Sequence, residues 1–188
     1  MNAILVEGED LRWGPAPEPT LSAGDIAIRV HATAVNRADL LQRAGRYPPP
    51  PGASPILGLE CSGTVTEIAS DVTGVSVGDE VCALLSGGGY AETVTCPAGQ
   101  TLQVPPNLPL ARAAALPEAL ATAFLVLREE GRLEPGERVL IHAGASGIGT
   151  AMIQICRALG NPCFATAGSP EKVARCVELG ADGGAARS

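Results

Sequence analysis

The chain has 188 residues, of which 46% are hydrophobic and 18% are charged, and its formal net charge is −7 at pH 7. This composition supplies enough apolar residues for a packed core and is not typical of a disordered protein. A chain this acidic, with no run of Lys or Arg, lacks the positive surface that nucleic acids or anionic membranes attract. No apolar stretch reaches the roughly 20 residues of a membrane-spanning helix, and the N-terminus has no signal-peptide pattern. We therefore expect a cytoplasmic protein that binds neither nucleic acid nor membrane.

The first half of the chain is predicted to be rich in β-strands. Residues 25–33 alternate between two sets of side chains with the two-residue period of a half-buried strand. Three further short runs, at 62–68, 79–84 and 90–96, are separated by glycine-rich turns.

A short helix and a proline-rich loop interrupt these strands. The helix is predicted over 36–43, with Asn36 as its cap and Asp39 at its third position. Tyr47 then precedes four consecutive prolines at 48–51. Because proline fixes φ and removes a backbone donor, we expect a stiff, extended loop that holds Tyr47 in place.

The second half is predicted to be α/β. The apolar runs at 138–142 and 162–167 are typical of buried parallel strands, and three helices are predicted around them. These helices span 117–130, 147–159 and 170–179. The change of pattern near residues 115–120 predicts two domains, 1–118 and 119–188.

A glycine-rich loop joins the first of these strands to its helix. The sequence Gly144-Ala145-Ser146-Gly147-Ile148-Gly149 has the strand–loop–helix context of a dinucleotide-binding site. Gly144 permits a tight exit from the strand, the small residues at 145–147 let a pyrophosphate approach the backbone, and Gly149 allows close packing of helix on strand. The helix N-terminus adds free N–H groups and a positive dipole end. Ser146 replaces the usual second glycine, and its hydroxyl can donate to a phosphate or a substrate. A glycine-rich turn without a ligand is the alternative.

The end of the second strand favours NADPH over NADH. An NAD site usually has a carboxylate there for the ribose 2′-OH, but this strand runs into Gly168 and Ser169, and the first carboxylate is Glu171. Gly168 leaves space, Ser169 can donate, and Lys172 lies one turn into the next helix, where a 2′-phosphate would be bound. The alternative is that Lys172 is an ordinary solvated charge.

Neither the cysteines nor the histidines are spaced as metal ligands. The six cysteines include no CxxC pair, and the two histidines are His31 and His142. We expect buried, reduced thiols and no metal.

Four segments together resemble the medium-chain dehydrogenases/reductases. The closest match is the zinc-free quinone oxidoreductase branch, which is zeta-crystallin-like, and within it the p53-inducible quinone oxidoreductase group. The segments that carry the resemblance are 36–65, 77–94, 115–124 and 139–160.

The resemblance implies a fold, a cofactor and a reaction. The fold is a GroES-like, β-rich N-terminal domain followed by a Rossmann domain, homodimeric in the full-length family form, with NADPH bound in the cleft between the domains. The reaction is metal-free hydride transfer to a quinone, with reduction of an alkenal or enone as the alternative. Zinc-dependent relatives carry a Gly-His-Glu stretch where this chain has Gly58-Leu59-Glu60, so the resemblance gives Cys61 no role as a zinc ligand.

The resemblance also assigns roles to individual residues. It places Tyr47 and Ser146 beside the nicotinamide and the substrate, where we expect them to orient the acceptor. Asn36 lines the cleft and Thr122 approaches the nicotinamide amide. The alternatives are a surface tyrosine, an asparagine that only caps its helix, and a threonine that only packs. Gly168, Ser169 and Lys172 match the group around the adenosine phosphate.

The predicted Rossmann domain is incomplete. The chain is predicted to supply only the first two strands and their helices, whereas the cofactor crevice lies between strands one and four. Two hypotheses therefore stay open. The chain is the N-terminal part of an oxidoreductase, or it is a truncated, inactive product with a structural or partner-binding role.

Overall fold

The computed structural model of the chain describes residues 1–8 and 10–187. The chain divides into two compact units, Met1–Glu118 and Ala119–Ser188. Among the described residues, no helix combines the length and hydropathy that a bilayer span requires.

The first unit contains a five-stranded antiparallel sheet in the order β6-β3-β4-β5-β7. The predicted strands are confirmed, with shifts of up to three residues at their ends, and the short strand β7 was not predicted. Apolar side chains such as Ile26, Ile28, Val65 and Val81 point into one core. The strands are β3 (Asp25–Thr33), β4 (Glu60–Ile68), β5 (Glu80–Leu84), β6 (Thr93–Pro97) and β7 (Thr101–Gln103).

A separate antiparallel hairpin precedes this sheet and was not predicted. It consists of β1 (Asn2–Glu7) and β2 (Asp10–Pro15). Most of its apolar side chains are exposed, among them Trp13 at 53%. Because Ala3 is the one fully buried apolar side chain of the two strands, the hairpin shows no alternation from which it can be recognised.

Two short helices belong to the first unit, and a third begins at its end. They are α1 (Arg37–Arg43), α2 (Leu110–Ala113) and α3 (Pro117–Phe124), and a 3₁₀ turn covers Ala98–Gln100. The predicted helix over 117–130 is confirmed in its extent, but only Pro117–Phe124 is α-helical and Leu125–Glu130 is a π-helix. The N–H of Gly131 accordingly donates to the carbonyl of Val126, five residues earlier.

The second unit is a three-stranded parallel sheet in the order β10-β9-β8. Helices α4 and α5 lie where they were predicted and pack against it. The expectation of only two strands is wrong, because the segment Gly-Gly-Ala-Ala forms a third strand beside β9. The elements are β8 (Val139–Ile141), α4 (Gly147–Leu159), β9 (Cys163–Ala167), α5 (Pro170–Leu179) and β10 (Gly183–Ala186).

Candidate functional site

The glycine loop follows β8 and is shaped by steric limits. A Cβ on Gly144 would lie 2.7 Å from the Cβ of Ala165, and a Cβ on Gly149 would lie 2.5 Å from the carbonyl oxygen of Ala143. Ala143 itself has a φ of +53°, in the left-handed region that disfavours a side chain. The loop therefore turns sharply and presses α4 against the end of β8.

Ser146 is the N-cap of α4. Its Oγ accepts a hydrogen bond from the N–H of Gly149 at 3.0 Å, which leaves the hydroxyl proton free to donate elsewhere. Apart from the chain neighbours and the backbone of α4 itself, no atom lies within 4 Å of the position a Cβ would take on Gly147, and Ile148 is 38% exposed. The first turn of a 13-residue helix thus meets open space, as a bound anion requires.

The end of β9 provides a second helix N-terminus. Gly168 is exposed and faces open space. Ser169 caps α5 by accepting from the N–H of Lys172 at 3.4 Å, and the Lys172 side chain is exposed. A hydrogen bond with the Ser169 side chain lowers the pKa of Glu171. A carboxylate therefore shares this helix end with Lys172 and opposes its attraction for a phosphate.

The first unit contains a buried carboxylate that joins three elements. Glu60, at the start of β4, is only 2% exposed. Its Oε1 accepts from Nδ2 of Asn36 at 2.7 Å, and its Oε2 accepts from the backbone N–H of Glu118 at 2.9 Å. Burial raises the pKa of Glu60, and these two hydrogen bonds oppose the rise.

A second carboxylate is buried beside it. Asp39 is 2% exposed, and its Oδ2 accepts from the backbone N–H of Asn36 at 2.7 Å. Its Oδ1 has no partner of normal hydrogen-bond geometry among the described residues. Burial is the main cause that raises the pKa of Tyr90, and the carboxylates of Asp39 and Glu60 add to it. The hydroxyl of Tyr90 therefore stays protonated close to two acids.

The other candidate residues, Tyr47 and Thr122, make none of the hydrogen bonds described above. Tyr47 follows α1, before the prolines, and is 49% exposed. Thr122 lies on α3 and is partly buried. Tyr47 belongs to the first unit, whereas Ser146 and Thr122 belong to the second.

Sequence reasoning missed the role of Glu60 and the participation of Asp39 and Tyr90. One signal was present, because Glu60 lies in the apolar run Ile-Leu-Gly-Leu-Glu-Cys. A carboxylate within a buried strand must be hydrogen-bonded or neutral. Its partners were not predictable, since Asn36 is 24 residues away and Glu118 is 58 residues away.

The cysteines are buried and free, as expected for Cys61, Cys82, Cys96, Cys156, Cys163 and Cys176. Burial raises the pKa of Cys96 to about 12, which keeps it a thiol. Across residues 1–8 and 10–187, no group of three or more His, Cys, Asp or Glu side chains is arranged to hold a metal ion.

Comparison with known proteins identifies a domain and several relatives. Residues 22–106 match the alcohol dehydrogenase GroES-like domain. Over 149 residues the chain is 44% identical to phthioceranic/hydroxyphthioceranic acid synthase of Mycobacterium tuberculosis. The aligned region covers 79% of this chain and 7% of that protein. The chain thus spans a small fraction of the curated relatives that it matches.

Solved structures match nearly the whole chain. The quinone oxidoreductase from Thermus thermophilus, whose complex with NADPH is also solved, is 35% identical with a TM-score of 0.81 and covers 99% of this chain and 60% of its own. The CurK enoyl reductase is 31% identical with a TM-score of 0.85 and covers 97% of this chain and 58% of its own. The GroES-like domain and the partial Rossmann fold that follows it are the fold of the medium-chain dehydrogenase/reductase superfamily, to which the chain is similar over nearly its whole length.

Proposed function

We propose that the chain is the N-terminal part of an NADPH-dependent oxidoreductase that reduces a conjugated carbonyl acceptor by metal-free hydride transfer. A quinone is the acceptor in the first candidate function. The observation that carries the proposal is the first turn of α4. This turn is capped by Ser146, open to solvent at Gly147 and tightly packed at Gly149. The similarity to a quinone oxidoreductase whose NADPH complex is known supports both the cofactor and the acceptor.

The residues of the chain fit this cofactor in distinct ways. The backbone N–H groups of the glycine loop are expected to bind the pyrophosphate. The 2′-phosphate is expected to be bound by Lys172 together with Gly168 and Ser169. Asn36 and Thr122 are expected to contact the nicotinamide half. When bound, NADPH supplies the hydride. Tyr47 is expected to orient the acceptor and, unless water does so, to protonate the oxyanion that forms.

A titration with NADPH tests the first step. We expect binding with micromolar affinity and quinone-dependent oxidation, followed at the absorbance of the reduced nicotinamide. No binding by this chain would favour the competing hypothesis of an inactive product with a structural or partner-binding role.

Two substitutions test the acceptor site in the full-length protein. Tyr47→Phe removes only a hydroxyl from a half-exposed ring, and Ser146→Val removes the hydroxyl of the loop. We expect each substitution to lower turnover with a quinone, because each removes one orienting hydrogen bond. The loss should be far smaller than the loss caused by removing the cofactor. Unchanged turnover in both variants would contradict the assignment of these two residues.

The second candidate function is reduction of a conjugated C=C bond in an enone, an alkenal or an enoyl thioester. It is favoured by the similarity to the CurK enoyl reductase and by identities of 38–40% to three polyketide synthases. Both candidate functions use the same cofactor residues and differ in the acceptor. Comparing kcat/KM for a benzoquinone, a simple enone and a crotonyl thioester would separate them. If kcat/KM for the thioester is at least tenfold higher, a difference of about 1.4 kcal/mol, enoyl reduction becomes the preferred function in place of quinone reduction.

A further inference from the structure

We propose that Glu60 is a positioning residue that fixes which end of the Asn36 carboxamide is available to NADPH. The inference rests on the proposed function, in which Asn36 contacts the cofactor. It assigns a role to a buried acid that the reaction itself does not use.

The inference starts from the hydrogen bonds of Glu60. Both of its carboxylate oxygens accept, one from Nδ2 of Asn36 at 2.7 Å and one from the backbone N–H of Glu118 at 2.9 Å. An ionised carboxylate has no proton to donate. Asn36 must therefore turn its NH₂ group toward Glu60. Its Oδ1 then faces the backbone N–H of Asp39 in the capping box of α1, with a second lone pair left to accept from a ligand.

The backbone of Asn36 is fixed as well. Its N–H donates to Oδ2 of Asp39 at 2.7 Å, and Asp39 is 2% exposed. With the backbone and Nδ2 both held by buried acids, the remaining freedom of Asn36 is small. Its Oδ1 is thus a preorganised acceptor, suited to a hydroxyl or an amide N–H of the cofactor.

Protonation of Glu60 would reverse this arrangement. A protonated Glu60 carries an O–H that can donate to Oδ1 of Asn36, and the amide would then offer its NH₂ group to the ligand. Burial raises the pKa of Glu60, so the change is expected above the ordinary pKa of a glutamate. Among the described residues, the titratable groups that interact electrostatically with Glu60 are Asp39 on α1, Tyr90, Cys82 on β5 and Cys61, its neighbour on β4.

Glu60→Gln mimics the protonated state at every pH. The backbone N–H of Glu118 requires an acceptor, so the oxygen of the new amide faces it and the NH₂ faces Asn36. Asn36 must then flip, which also turns its NH₂ group toward the backbone N–H of Asp39 and removes that capping-box bond. We expect NADPH to bind roughly tenfold more weakly than to the wild type at neutral pH, the cost of one mismatched hydrogen bond. The weakening that the wild type undergoes on acidification should be absent from the variant.

A double substitution tests orientation against a purely structural role. In Asn36→Asp with Glu60→Gln, the amide at 60 donates to the carboxylate at 36, whose second oxygen again accepts from the ligand. We expect NADPH affinity to return to within about threefold of the wild type. Failure of the double variant to improve on Glu60→Gln would overturn the inference. Glu67→Gln, an exposed glutamate on the same strand, is the matched control and should bind like the wild type.

A measurement without NADPH separates this inference from the proposed function. In ¹H–¹⁵N NMR spectra of the wild type, the side-chain amide signals of Asn36 should shift with pH as Glu60 titrates, and Glu67→Gln should behave identically. The shift should be absent from Glu60→Gln. If NADPH does not bind the wild type but the signals titrate, the proposed function fails and the pairing stands. If NADPH binds and neither the signals nor the affinity depend on Glu60, the inference is wrong. Even if a variant does not fold, the pH dependence of the Asn36 signals and of NADPH affinity in the wild type tests the inference.

Discussion

The two units carry their candidate functional groups in opposite ways. In the second unit the groups are backbone N–H donors at the first turns of α4 and α5, placed by glycines and by the caps Ser146 and Ser169. In the first unit they are side chains. A tertiary hydrogen bond holds Asn36 against Glu60, and Asp39 accepts locally from the backbone N–H of Asn36. The backbone site depends on the absence of side-chain atoms. The side-chain site depends on the hydrogen bonds of buried acids, which pair both oxygens of Glu60 and one oxygen of Asp39.

This difference predicts where each unit is sensitive. Apart from its two helix caps, the second unit should tolerate changes of polar side chains but not an added methyl group where the backbone is crowded. The first unit should tolerate changes at its surface but not the loss of one buried hydrogen-bonding partner. Four predictions, from the largest effect to the smallest, test that contrast.

The largest effect is expected from Gly149→Ala. Its Cβ would lie 2.5 Å from the carbonyl oxygen of Ala143 and 2.7 Å from the Cα of Gly144. Since both neighbours are backbone atoms, we expect a loss of about 2–3 kcal/mol of stability and no detectable NADPH binding. Hydrogen exchange of the amides in α4 measures the loss of stability.

The matched control is Gly147→Ala, two residues away. A Cβ there meets no atom within 4 Å, so stability should change by less than about 0.5 kcal/mol. NADPH binding should nevertheless weaken, because the methyl group enters the space proposed for the pyrophosphate. Equal destabilisation by the two substitutions would contradict the steric account of the loop.

The next effect is expected in the first unit, from Ser62→Ala. Ser62 is fully buried, and its hydroxyl donates to the carbonyl of Leu110 at 2.6 Å. Removing the hydroxyl leaves a carbonyl without its partner, and we expect a loss of about 1–2 kcal/mol in urea unfolding. Thr66→Val, on the same strand, removes an exposed hydroxyl that donates at 3.3 Å and should cost less than about 0.5 kcal/mol. A larger loss for Thr66→Val would break the contrast between buried and exposed pairs.

A smaller effect is expected when a helix cap is removed. Ser146→Ala deletes the acceptor of the Gly149 N–H at 3.0 Å and should destabilise α4 by about 1 kcal/mol. Ser169→Ala deletes a longer cap bond of 3.4 Å on α5 and should cost about half as much. Hydrogen exchange of the two helices compares these losses directly. If Ser169→Ala proves the more costly substitution, the length of the cap hydrogen bond does not determine how much each cap stabilises its helix.

The smallest effect is expected on cofactor choice. Lys172→Ala should lower the ratio of NADPH to NADH affinity by about twofold to fivefold, because it removes an exposed charge from the 2′-phosphate. Glu171→Gln should raise the same ratio, since it removes a carboxylate from the same helix end. Titrating both cofactors against the three proteins measures the ratios. Changes of the same sign in both variants would place the 2′-phosphate elsewhere.

Much of the fold was predictable because its determinants are local. The alternation of 25–33, the helix-stop glycines Gly160 and Gly180, and the cap Ser169 each act within a few residues, and the structure confirms them. Strand β10 was missed because Gly and Ala have low strand propensity. It forms because the neighbouring strand β9 supplies its hydrogen-bonding partners.

The sequence by itself determined the class of the second unit and the position of its glycine loop. A pyrophosphate cradle requires glycine, a small residue and a helix N-terminus in one contiguous stretch. Only the tertiary structure decided that Glu60 joins Asn36 to the backbone of Glu118 and that Asp39 and Tyr90 lie beside them. The physical reason is that a buried carboxylate must find its donors wherever the folded chain brings them, and no local pattern encodes partners 24 and 58 residues away.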